Sequence, residues 1–243
     1  MANGMSQHEV VVSAIQDLVL RGDLAPGDRL PVEADLAARL GVSRGSLREG
    51  VRALVAMGVL ETRQGSGTRV TSLDPQLLLR PLVFWASIQA GPSALNVHLV
   101  RRALEVEAAG QAAATIGGDD LERLAGLLAD ARPQIAAHDH EAALRSDHAF
   151  HRAVAEATGN PILTALVDAL GRPTVRSRLW QSVHRAGRIE SAHREHEAIL
   201  DTLRRHDPVG ARAAMYTHLS EVLTHLEAQE PDDGPGTAPG AAL

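Results

Sequence analysis

From residue 94 to residue 228 the chain repeats one kind of segment, with apolar residues at helical spacing broken by short joints. The candidate helices run over 94–115, 119–137, 141–158, 161–180, 188–205 and 208–228, and Gly117-Gly118, Asp139, Gly159-Asn160, Gly187 and Asp207-Pro208 mark the joints. Apolar side chains three and four residues apart fall on one helix face, and that face must be buried. Joints this short turn each helix back along its predecessor, so the pattern predicts an antiparallel all-helical bundle. The available core residues agree. Aromatic residues make up 2% of the chain and hydrophobic residues 44%, so Ala, Leu, Val and Ile must fill the core, and small side chains favour close helix packing over stacked sheets. Pro173 falls inside the 161–180 segment and should kink or split it.

The first 72 residues carry a different pattern. Val10 to Leu20 has helical periodicity, Asp23 to Pro31 is a turn-rich connection, and Val32 to Leu40 reads as a short helix stopped at Gly41. Ser43 is a good N-cap for a further helix reaching about Met57. Beyond Gly58, Val59 to Thr62 and Thr68 to Val70 are short strand-like runs flanking the glycine-rich Arg63 to Gly67. Two helices across a tight turn followed by a two-stranded wing describe a winged helix-turn-helix. The expected organisation of this mainly α chain is a DNA-binding domain at 1–72, a linker and connecting helix at 73–92, a helical domain for metal, effector and dimerisation at 93–229, and a disordered tail at 230–243, where Pro, Gly and Asp cannot bury a core.

The net charge of −6 would argue against a nucleic-acid partner if it were spread evenly. It is not. Residues 1–72 hold eight Arg and eight acidic residues, and residues 73–243 hold sixteen Arg and twenty-two acidic residues. Between Arg39 and Arg69 six Arg face only Glu49 and Glu61, as expected of a small DNA-reading module joined to an acidic sensor. The chain has no Cys, which excludes disulfides and thiolate metal sites, so any metal must be held by His and carboxylates. No apolar run approaches the roughly 18 residues of a membrane span, and no secretory leader is visible, so a soluble cytoplasmic protein is expected.

Asp147 and His151 are four residues apart, one above the other on a helix face, a spacing from which two side chains can hold one metal ion. His196 and His218 occupy comparable places in two later segments, so three helices could each turn a ligand towards one interior point. One carboxylate and three imidazoles suit Zn, Ni or Mn without choosing among them. His193 and His225, one and two turns from a ligand, could support the ligands from behind, His148 adjoins the site but points elsewhere on its helix, and His8, His98, His138, His140, His184 and His206 read as surface residues.

The run Leu30-Pro31-x-Glu33, Leu36-Ala37, Leu40-Gly41-Val42-Ser43-Arg44, Leu47-Arg48-Glu49, Leu54, Gly58, Leu60-Glu61, Gly65-x-Gly67-Thr68, Val70 resembles the winged-helix domain of the GntR regulators. The resemblance assigns DNA contacts to Ser43, Arg44, Ser46 and Arg48 at the start of the recognition helix, with Arg52 on the DNA backbone and Gln64 and Gly65 near the minor groove. The chain departs from that pattern at Val32 and Ala34, at Arg69, and at Gly50, where an Ala is usual and Gly costs roughly 1 kcal/mol of helix propensity. The C-terminal half resembles the FCD effector domain of the FadR branch through Arg101-x-x-Leu104-Glu105, Asp147-x-x-Phe150-His151, Gly159-Asn160-Pro161, His196-x-x-Ile199-Leu200 and Ala211-x-x-Ala214-Met215-x-x-His218-Leu219. It implies that Asp147, His151, His196 and His218 bind a divalent metal and that Arg101 lies near the pocket, oriented by Glu105, with Trp180 a candidate for its wall. Arg101 could equally close an ion pair with Glu105 or Glu107.

The expectation is a homodimeric regulator of double-stranded operator DNA, a repressor released by a small carboxylate (sugar acid, hydroxy acid or dicarboxylate) bound at the metal. A metal-responsive regulator without an organic effector is the alternative. A metal-dependent hydrolase fits less well, because no general base stands beside the ligands.

Overall fold

The structure is a computed structural model that describes residues 5–88, 92–172 and 188–227. The chain divides into two compact units, Met1–Pro81 and Leu82–Leu243. Trp180, Pro173, the second half of the expected 161–180 helix and the expected tail lie outside the described residues.

In the first unit α1 (Gln7–Leu20) begins three residues before its apolar pattern does. Its start is set by a cap: the backbone N–H of Ser6 donates to Glu9 Oε2 at 2.7 Å. α2 (Glu33–Leu40) ends on Gly41 in the left-handed region, φ 66°. α3 (Arg44–Ala56) starts from Ser43, whose hydroxyl accepts from the Ser46 N–H at 3.0 Å. The wing is β1 (Leu60–Arg63) against antiparallel β2 (Gly67–Val70), in register Leu60 with Val70 and Arg63 with Gly67. One feature was not expected: the 28–30 segment lies beside β2, with Leu30 N–H donating to Thr68 O and Val70 N–H to Asp28 O, both at 2.9 Å. Val11, Ile15, Leu36, Leu47, Leu54, Leu60 and Val70 meet in one core, which ties both helices and the wing to α1. The short α4 (Pro75–Leu78) follows, and α5 (Arg80–Ser87) begins at the unit's edge.

The second unit contains α6 (Pro92–Thr115), α7 (Gly118–Ala136), α8 (His140–Glu156), α9 (Pro161–Gly171), α10 (Arg188–Arg204) and α11 (Pro208–Glu227). α6 packs most extensively on α11 and also touches α8, α9 and α10, while α7 packs on α8 and α10. Small residues make the α6–α11 approach possible: Ala109, Ala112 and Ala113 meet Ala211, Met215 and Leu219 in the core. The helix that opens the site is well defined at its start. Asp139 caps α8 by accepting from the Ala142 N–H at 3.0 Å, and Asn160 caps α9 by accepting from Ile162 and Leu163, each at 3.1 Å. Among the described residues, no helix is long and apolar enough to cross a membrane.

Candidate metal centre

α8 carries Asp147 and His151, α10 carries His196, and α11 carries His218. Their potential ligand atoms all lie within 4.8 Å of one another. The three imidazoles are essentially buried, at 2%, 3% and 0% exposure. Their Nε2 atoms form a near-equilateral triangle: His151 to His196 3.2 Å, His196 to His218 3.1 Å and His151 to His218 3.2 Å. Asp147 Oδ1 lies 3.5 Å from His196 Nε2 and 3.9 Å from His151 Nε2. Phe150 stacks on His196 with ring centroids 4.7 Å apart and an interplanar angle of 28°, which holds that ring in place.

The outer nitrogens decide what the inner ones can do. His218 Nδ1 is 2.7 Å from Glu195 Oε2, and His151 Nδ1 is paired with Glu105 Oε2. A carboxylate only accepts, so His218 Nδ1 carries the hydrogen and in the neutral ring its Nε2 is left as a lone pair, and the ion-pair contact of Glu105 with His151 favours the same form there. Two lone pairs 3.2 Å apart, facing one point in a buried site, repel each other unless a cation lies between them. The centre of such a triangle is about 1.8 Å from its corners, close to the ~2.0–2.1 Å at which imidazole nitrogens would hold a divalent ion. The donor set and its spacing therefore suit a divalent ion.

The two glutamates are themselves gripped. Arg101 Nε donates to Glu105 Oε1 at 2.8 Å, and both side chains are 2% exposed. Arg188 Nη1 and Nη2 donate to the two oxygens of Glu195 at 2.6 and 2.9 Å, and Nη2 also reaches the His218 carbonyl at 3.4 Å. Arg101 thus pairs with Glu105 rather than Glu107, a contact that fits either role for it. Glu195 and Arg188 escaped sequence reasoning. A signal existed, because the two stand seven residues apart on one face of α10, with Glu195 next to His196.

One other histidine corrects the sequence reading. His98, expected on the surface, is buried, with Nε2 2.9 Å from the Leu219 carbonyl, because α6 and α11 close tightly there. His206 is exposed as expected, with its Nδ1 3.1 Å from the Ala113 carbonyl. His148 faces away from the triangle, with Nε2 3.0 Å from Asp168 Oδ1 on α9. His193 lines an apolar cavity beside Asp147 and His196; burial lowers its pKa, which Glu197 opposes and Arg132 reinforces. The side chain of His225 lies outside the described residues.

In the first unit Ser43, Arg44, Arg48, Arg52, Gln64 and Gly65 are all exposed, and Gly65 adopts φ 74° at the wing tip, which glycine permits without strain. Ser46 is half-buried and its hydroxyl donates to Gln7 Oε1 at 2.9 Å, so it also locks α3 to α1. Arg48 Nε lies 2.9 Å from Glu33 Oε2.

Residues 7–70 match the family described as bacterial regulatory proteins, gntR family, and residues 96–221 match the FCD domain. The chain is 32% identical over 210 residues to the HTH-type transcriptional regulator LutR of Bacillus subtilis (strain 168), covering 84% of this chain and 94% of that protein. It is 31% identical over 225 residues to the HTH-type transcriptional repressor NanR of Cronobacter sakazakii, covering 90% of this chain and 85% of that one. Among solved structures, Streptococcus agalactiae GntR superposes with a TM-score of 0.67 at 28% identity, over 89% of this chain and 99% of that chain.

Proposed function

The chain belongs to the gntR family of bacterial regulatory proteins and carries an FCD domain, and from that premise we propose that it is a repressor whose hold on operator DNA is released by a small carboxylate bound at a divalent metal in the second unit. It is a transcriptional regulator and not an enzyme. The observation that carries the effector reading is the inward-facing triangle of Nε2 atoms, with the His218 lone pair held inward by Glu195 and His151 in contact with Glu105.

Asp147, His151, His196 and His218 hold the ion, which is Zn, Ni or Mn on ligand chemistry. A bound divalent ion supplies a positive anchor for one carboxylate oxygen of the effector. Arg101 keeps N–H groups beyond those on Glu105 and can meet a second anionic end of the ligand. Because the ligands come from α8, α10 and α11, any change at the centre is felt by three helices at once. Ser43, Arg44, Arg48 and Arg52 face the operator from α3, with Gln64 and Gly65 at the wing, and a homodimer would present two such units to paired half-sites.

The near-complete burial of the three histidines favours a second reading, in which the ion only clamps the bundle. One experiment separates the two. Operator complexes of the metal-loaded protein are titrated with sugar acids, hydroxy acids and dicarboxylates. Release that is lost when the metal is stripped supports the effector reading; no response to any acid supports the clamp.

A further inference from the structure

Two buried arginines stand behind the ligand triangle. Arg188 and Arg101 are 4% and 2% exposed, and each sits on a glutamate whose other contact is the outer nitrogen of a ligand histidine. Taking the Arg101–Glu105 pair fully, and the Arg188–Glu195 pair largely, out of water is expensive and often contributes little to stability compared with apolar packing. Two such pairs converging on one point in an Ala- and Leu-filled bundle need a reason other than stability.

Resting on the metal-centre reading above, we infer that Glu195 and Arg188 are positioning residues for that centre, with Glu105 and Arg101 repeating the same device. Each relay runs from guanidinium to carboxylate to imidazole. Glu195 holds His218 with its hydrogen on Nδ1 and its lone pair inward. Arg188 grips both Glu195 oxygens, so the carboxylate cannot swing away, and its contact with the His218 carbonyl ties the start of α10 to the ligand-bearing turn of α11. On α6, Arg101 and Glu105 act in the same way on His151.

The relays also set the charge of the centre. Asp147 brings one negative charge and the two glutamates two more, while the two arginines cancel the glutamates. A divalent ion therefore leaves a single positive charge in a buried place, which favours an anion at the open coordination positions. Without the arginines the same ion would leave the centre negative and repel a carboxylate.

The test uses the full chain, stripped of metal, as wild type, Glu195→Gln and Arg188→Met, each titrated with Zn and Ni against a chromophoric chelator. Gln is nearly isosteric with Glu, but its amide both donates and accepts, so it no longer dictates which His218 nitrogen carries the hydrogen. Glu195→Gln should weaken metal binding about 10- to 100-fold. Its metal-free melting temperature should stay within about 3 °C of wild type. Nitrogen NMR of the metal-free protein should find His218 as the Nδ1–H form in wild type and mixed in the variant. Arg188→Met should weaken binding in the same direction, and if it fails to fold the Gln variant alone carries the test. An affinity within about threefold of wild type, with the tautomer unchanged, overturns the relay while leaving the metal centre standing. A wild type that takes up no metal at all overturns the metal-centre reading, and this inference with it.

Discussion

Arg48 is partly committed before DNA arrives. Its pair with Glu33 is exposed on both sides, at 62% and 54%, and such a pair contributes about 0–1 kcal/mol, whereas a specific base contact is worth about 1–3 kcal/mol. If Arg48 meets DNA as proposed, the base contact outweighs the pair with Glu33. Arg48→Ala should weaken operator binding by about 1–3 kcal/mol with the unit still folded, and Glu33→Gln should change it by less than about 1 kcal/mol. Fluorescence anisotropy at several salt concentrations checks both; an unaltered affinity for Arg48→Ala would remove this residue from the interface. Asp168 offers a pH test. The hydrogen bond with His148 holds its carboxyl below the usual range, burial opposes this, and Arg172 adds to the lowering. A depressed folded pKa gives stability that is present above the ordinary Asp value near 4 and is lost as the pH falls through the lower folded value. Asp168→Asn should thus be less stable than wild type at pH 7 by about 1–3 kcal/mol, with the gap closing below about pH 4. Urea denaturation at pH 7 and pH 3.5 checks the sign; a gap that widens in acid would contradict it.

Among the elements, α3 shows why a residue with poor helix propensity can be the right one. A Cβ on Gly50 would lie 2.6 Å from Val11 Cγ1 and 2.7 Å from Val11 Cβ, so α1 and α3 meet through the missing methyl. Gly50→Ala gains about 1 kcal/mol of propensity but overpacks a rigid β-branched contact, at about 1–3 kcal/mol or more. The second effect should win, giving a net loss in thermal denaturation, and a raised melting temperature would show that α1 can shift freely. In α8, Phe150 is fully buried and stacked on His196, so Phe150→Ala should destabilise the second unit by about 3–5 kcal/mol and loosen the metal ligands as well. Local signals in the sequence were enough to find the helices. Ser43, Asp139 and Asn160 cap where their side-chain chemistry predicts, and the bundle helices begin and end within two residues of the apolar pattern, apart from the 161–180 segment, of which only 161–172 is described. What local pattern could not reveal was contact between distant segments. The Gly50–Val11 approach, the 28–30 segment beside β2, the burial of His98 under Leu219 and the grip of Glu195 on His218 each depend on how two elements pack.

At the scale of the molecule, charge and chemistry are divided between the two units. The first carries Arg44, Arg48 and Arg52 on α3 and Arg63 and Arg69 on the wing, and the second carries the acidic surplus and the candidate ligand set. The proposed regulation requires the second unit to be a sensor built around one metal ion. The direct measurement is calorimetric titration of the metal-stripped full chain with Zn, Ni and Mn, for wild type and for His151→Ala and His196→Ala. The account predicts one ion per chain for wild type, a higher melting temperature on loading, and an affinity reduced at least 100-fold in either variant. Equal uptake by wild type and variants, or no uptake by wild type, would contradict it.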